Sequence, residues 1–106
     1  MQKGIVGQLE QTQVLSRFRA HRLELERAGI VRLAVFGSVA RGENGAASDV
    51  DLMGDFDRTR RLTLLDMAGL EYRLSEIVGG PVELADRKML KDSVKARAER
   101  EAILAF

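Results

Sequence analysis

Two short strand-like runs, with a glycine-serine turn after the first, constrain this fold more than any other feature of the chain. Residues 31–36, VRLAVF, are rich in branched and aromatic side chains and read as a buried strand. Gly37-Ser38 follows at once, and residues 38–42 can open a brief helix. Residues 43–48, ENGAAS, are small and polar and read as a loop. Residues 49–53, DVDLM, then alternate acid with apolar side chain. That is a half-buried strand with Asp49 and Asp51 on one face and Val50 and Leu52 on the other. Gly54 and the charged stretch 55–61 are expected to end it.

Helices flank these strands. Residues 9–28 place Val14, Phe18, Leu25 and Ala28 on one face, with His21 beside them, and Ala28-Gly29 supplies the stop. Residues 63–78 start at a capping-box-like Thr63/Asp66 pair, bury Met67, Leu70, Leu74 and Ile77, and end at Gly79-Gly80. Pro81 opens a third strand, VELA, since strand starts tolerate proline. A last helix is expected over 92–104, with Val94, Ala98 and Ala102 spaced by four. The order α-β-(short α)-β-α-β-α predicts an α/β (α+β) domain, a small mixed β-sheet with helices packed on it.

Composition narrows the function classes. A length of 106 residues fits one domain, 1–106. The absence of Cys excludes a disulfide scaffold and any Cys-ligated zinc or iron–sulfur site. No window is apolar for 18 residues, and MQKGIVGQLEQTQ lacks the apolar run of a signal peptide. The expected compartment is the cytoplasm, with no membrane partner. Lys and Arg total 17 against 16 Asp and Glu, a net charge of +1 that argues against a dedicated nucleic-acid binder. The strongest local feature is acidic, with Asp at positions 49, 51, 55 and 57.

Alternate carboxylates on a strand stand about 6.5–7 Å apart along the backbone and can converge on one or two hard cations. Mg²⁺ favours a few carboxylates completed by phosphate oxygens, and paired metals can serve both the attacking and the leaving oxygen of a displacement. A strand ending in Gly-Ser at a helix start presents backbone N–H groups to an anion. Gly37 permits close approach, Ser38 adds a hydroxyl donor, and Arg41 stands one turn on. Together these residues form a triphosphate cradle beside a metal-binding strand. Either half alone is commonplace; their combination at this spacing is specific.

FGSVARGENGAASDVDLM resembles the signature of polymerase-beta-like nucleotidyltransferases, through Gly37, Ser38, Ala40, Arg41, Gly42, Ser48, Asp49, Asp51 and Leu52. Length and element order resemble the minimal nucleotidyltransferase branch, which includes the antitoxins of HEPN–MNT toxin–antitoxin pairs. The resemblance implies a palm-like nucleotidyltransferase fold. It implies Mg²⁺ (or Mn²⁺) on Asp49 and Asp51, and nucleotide phosphates on Gly37, Ser38 and Arg41. It further implies transfer of AMP from ATP to a hydroxyl, a tyrosine of a HEPN-type toxin, within a hetero-oligomer. Relatives with a small-molecule acceptor add a helical domain, for which this length leaves no room, so a partner protein is the expected acceptor. The family's third catalytic carboxylate is usually Asp; the matching residue here is Glu83, longer by one methylene. An alternative therefore stands beside the enzyme, a nucleotidyltransferase-fold protein with weak or no catalysis that neutralises a toxin by binding.

The remaining candidates read as structural. Asp55 and Asp57 are expected at a solvated strand end, and Asp86 on the wrong face to replace Glu83. His21 is expected to pack, Arg58, Arg60 and Arg61 to lie in a solvated loop, and Tyr72 to be half-buried. Lys88, Lys91, Lys95, Arg97 and Arg100 are expected on a solvated face at the last helix.

Overall fold

The computed structural model describes residues 10–43 and 49–106. The expected loop from residue 44 on, Ser48 and residues 1–9 lie outside the described residues. Ten elements follow in order: α1 (Gln11–Ala20), α2 (Arg22–Arg27), β1 (Ile30–Phe36), α3 (Gly37–Arg41), β2 (Val50–Phe56), α4 (Leu64–Val78), β3 (Val82–Asp86), a 3₁₀ turn (Arg87–Met89), α5 (Asp92–Glu101) and β4 (Ile103–Leu104). The four strands form one mixed sheet in the order β3-β2-β1-β4. β1 runs antiparallel to β2 and β4, and β2 runs parallel to β3. The mixed α/β architecture expected from the sequence is present.

The sheet has two unequal faces. Leu33 and Val35 of β1 and Val50, Leu52 and Phe56 of β2 pack with Val14, Phe18, Leu25, Leu70 and Leu74 in the main core, beneath α1, α2 and α4. Ala34 and Met53 face the other way and meet Ala98 of α5, with Phe36, Leu90 and Ala102 around them. This second face is thinly covered, and Asp51 shares its parity with Met53.

Three boundaries and one exposure differ from expectation. The first helix breaks at His21, whose backbone leaves helical geometry and whose ring Nδ1 lies 2.9 Å from the Arg17 carbonyl oxygen. β2 continues through Gly54 to Phe56. A Cβ at Gly54 would stand 3.1 Å from the Phe56 ring and 3.3 Å from the Arg32 carbonyl oxygen. This glycine marks a close approach inside the strand, whereas a strand end had been expected from it. The last helix stops at Glu101, Ala102 turns extended (ψ 140°), and Ile103–Leu104 pair with β1 as a strand instead of finishing a helix to 104. Tyr72 is 68% exposed, more than the half-burial expected.

The α4 start agrees with its reading. The Thr63 hydroxyl accepts from the Asp66 N–H at 3.1 Å, and the Asp66 carboxylate accepts from the Thr63 N–H at 2.8 Å. Gly79 closes the helix at φ +78°. No helix among the described residues is long and apolar enough to cross a membrane.

Candidate functional site

The candidate residues meet at one end of the thinly covered face. β1 ends at Phe36, and Gly37 turns the chain into α3 at φ +74°. A Cβ there would lie 3.1 Å from Asp51 Cγ and closer still to its carboxylate oxygen. Position 37 thus demands glycine twice, once for its backbone angle and once for room beside an acid. α3 is held from outside as well, since the Gln11 side-chain amide donates to the Ala40 carbonyl oxygen at 2.6 Å. Gly42 then lets the chain turn away at φ +72°.

Asp51 pairs in register with Phe36 on one side and with Glu83 on the other. Residues paired in register on adjacent parallel strands project to the same face about 5 Å apart. Glu83 thus stands beside Asp51. Asp49 lies exposed just before β2, anchored where the Val50 N–H donates to the Pro81 carbonyl oxygen at 3.1 Å. Asp86 pairs with Gly54, so its parity is opposite to that of Glu83, as expected.

Electrostatics mark Asp51 as the focus. Burial, and then the neighbouring Glu83 and Asp49 carboxylates, push its carboxyl above the ordinary Asp range; Arg41 opposes this and Glu101 adds to it. A carboxylate crowded by like charges is relieved by a cation. The donors are all hard oxygens, which suit Mg²⁺ or Mn²⁺. Among the described residues, no group of three His, Cys, Asp or Glu side chains is placed to enclose a metal. Two carboxylates completed by ligand oxygens are a common way to hold such an ion.

A cleft of about 290 Å³ opens here, lined by Gly37, Ser38, Arg41, Asp51, Arg97 and Glu101 among others. A larger groove of about 500 Å³ lies between α2 and α4; Arg60 and Arg61 line it, but none of the residues expected to hold metal or phosphate does. Glu101 was missed from sequence. Its Oε2 accepts from the Gly37 N–H at 3.1 Å, and its Oε1 accepts from Arg41 Nη1 at 2.9 Å. Desolvation works upward on this acid, but the Gly37 N–H and Arg41 outweigh it and hold its carboxyl below the usual Glu range. Arg97, expected on a solvated face, also lines the cleft. The missed signal was spacing, because Glu101 continues the stripe of Val94 and Ala98 at i+7 and i+3.

The second acidic pair has structural partners. Asp55 sits within β2 and accepts from Arg87 Nε at 2.8 Å, with Arg32 4.0 Å away. Asp57 accepts from the Thr59 N–H at 2.9 Å and from its hydroxyl at 2.6 Å, a local turn. Arg58 forks onto Asp86 at 2.8 and 3.0 Å, and Arg60 donates to the Arg27 carbonyl oxygen at 2.7 Å. Two of the three loop arginines thus have fixed partners.

The chain is similar to known proteins over most of its length. The nucleotidyltransferase domain family profile matches residues 15–105. Protein adenylyltransferase MntA of Thermococcus cleftensis is 36% identical over 92 residues, covering 86% of this chain and 91% of that protein. A protein of Methanocaldococcus jannaschii inferred to be a protein adenylyltransferase is 33% identical over 75 residues, 71% of this chain and 78% of its own. Among solved structures, one inferred to be a minimal nucleotidyltransferase superposes with a TM-score of 0.76 at 36% identity, covering 91% of this chain and 96% of that one. A toxin–antitoxin structure with AMP-PNP superposes at 0.67 with 16% identity over 83% and 72% of the two chains, a likeness of fold alone. With a Gly-Ser turn packed on an in-register acidic pair, a profile match over most of its length and relatives above 30% identity, this chain belongs to the nucleotidyltransferase domain family, in its minimal nucleotidyltransferase branch.

Proposed function

We propose that this protein is a Mg²⁺-dependent protein adenylyltransferase that moves AMP from ATP to a tyrosine hydroxyl of a HEPN-type toxin and so acts as its antitoxin. The observation that carries the reading is the register of Asp51 with Glu83 on one face, with the Gly37 turn packed against Asp51. The relative named protein adenylyltransferase MntA supports adenylyl transfer to a protein. The toxin as acceptor follows from the motif's resemblance to the antitoxin branch.

Asp49 and Asp51 would hold the metal, which supplies charge neutralisation along the triphosphate when bound. The Gly37 turn and the Ser38 hydroxyl would seat phosphate oxygens, and Arg41 would counter their charge. Glu83 would take the proton from the acceptor hydroxyl. The hydroxyl oxygen then bonds to the α-phosphorus, the bond from that phosphorus to the bridging oxygen breaks, and pyrophosphate leaves. The extra methylene of Glu83 favours a second reading, neutralisation by binding alone, because catalytic geometry responds to shifts of about 1 Å.

One experiment separates the two. Wild type and the Asp49→Asn/Asp51→Asn double variant are incubated with α-labelled ATP, Mg²⁺ and the HEPN toxin. Label on the toxin with wild type, its loss with the variant, and loss of neutralisation while the complex still forms are expected for the enzyme. Neutralisation retained by the variant, with no label from wild type, establishes the binding module instead.

A further inference from the structure

The groups given to the nucleotide phosphates in the reading above are already engaged by acids of this chain. Gly37 has a single N–H, and the Glu101 carboxylate takes it at 3.1 Å. Arg41 spends Nη1 on Glu101 and Nε on Glu43, each at 2.9 Å. Both oxygens of Glu101 are used, one on each group, which is how a phosphate would bridge a backbone N–H and a guanidinium. Glu101 is the last residue of α5, followed at once by extended Ala102, and its side chain stays 19% exposed. It can therefore swing out without moving the helix.

We propose that Glu101 is an internal phosphate mimic, a specificity-determining residue that occupies the phosphate seat at Gly37 and Arg41 until a polyphosphate displaces it. The inference rests on the nucleotide reading of this cleft. A simple monoanion offers too little to replace a carboxylate already bonded at two points. A triphosphate arriving with its cation offers more oxygens and brings less repulsion beside Asp51 than the bare polyanion would. If Glu101 served only to position Arg41 and the Gly37 turn, its removal would weaken anion binding. Displacement demands the opposite sign.

Calorimetry with MgATP and with inorganic tripolyphosphate on wild type and Glu101→Gln reads that sign. The expected result is binding about tenfold tighter in the variant, the order expected for removing one like charge beside an anion at a part-exposed site. Equal or weaker binding in the variant, with wild type binding normally, overturns the inference and leaves the nucleotide reading intact. Absence of binding by either protein overturns that reading, and the inference with it. A wild-type measurement stands in if Glu101→Gln does not fold. The carboxyl carbon of Glu101 is followed by NMR while the magnesium complex of tripolyphosphate is added. Its signal should move to that of a free glutamate as the site saturates; a signal that stays fixed at saturation refutes displacement.

Discussion

At the residue scale, Asp51 concentrates the tension of the molecule. A half-buried carboxylate beside Glu83 and Asp49 is held above its ordinary pKa, so between the unfolded and native pKa values the native state retains a proton that the unfolded chain releases. Stability from this group is therefore greatest below its unfolded pKa and falls as pH rises through the raised native one. Asp51→Asn removes the repulsion and keeps the shape. In urea unfolding at pH 7, without divalent cations, the variant is expected to be more stable than wild type. The gap should close as pH falls through the carboxylate range, when Asp51 is protonated. Added Mg²⁺ should raise the midpoint of wild type more than that of the variant. This acid was legible in DVDLM from alternation alone, and Gly37 from the Gly-Ser pair that follows VRLAVF. Glu101 was legible only as far as its spacing from Val94 and Ala98, because a single acid on that stripe does not name the two distant donors that converge on it.

At the scale of elements, the caps of α4 and the end of β1 were legible, while the end of β2 and the strand β4 were not. The Thr63/Asp66 box and Gly79 bracket α4 because both signals are local, carried by hydrogen bonds within a turn. Thr63→Ala deletes the hydroxyl that accepts from the Asp66 N–H. A loss of about 1 kcal/mol is expected, measured by chemical denaturation with an unchanged m-value. Thr63→Ser should recover most of it, which ties the loss to the hydroxyl and not to the methyl. The bounds of β2 and α5 are set from farther away. β2 runs past Gly54 because Phe56 folds its ring back over that glycine, and because Asp55 meets Arg32 across the sheet and Arg87 from the 3₁₀ turn. α5 ends at Glu101 because the residues after it have strand partners in β1. No window of adjacent residues contains that information.

Over the whole molecule, the cleft is assembled from three separate stretches of chain, and the segment 102–106 ties them together. β4 pairs with Ala34 and Val35, the latter two residues before the Gly37 turn, while Glu101 stands two residues before β4. The Leu33 N–H donates to the Phe106 carbonyl oxygen at 3.1 Å, and the Ala105 N–H to the Leu33 carbonyl oxygen at 2.8 Å. From α1, Arg19 donates to the carbonyl oxygens of Leu104 and Ala105, each at 2.8 Å. The Phe106 side chain enters the main core, 9% exposed, with the Arg22 guanidinium 5.6 Å from its ring centre. Phe106→Ala should cost about 3 kcal/mol, the lower end for a buried aromatic because its rim touches solvent. Equilibrium unfolding measures this, and a second consequence distinguishes anchoring from simple core loss. With the ring gone, hydrogen exchange at Leu33, Ala34 and Val35 should accelerate more than at Leu70 or Leu74 in α4. Equal acceleration throughout would mean that Phe106 stabilises the molecule as one unit and does not anchor β4. Local acceleration would make it the peg that holds α5, and with it Glu101, against the Gly37 turn.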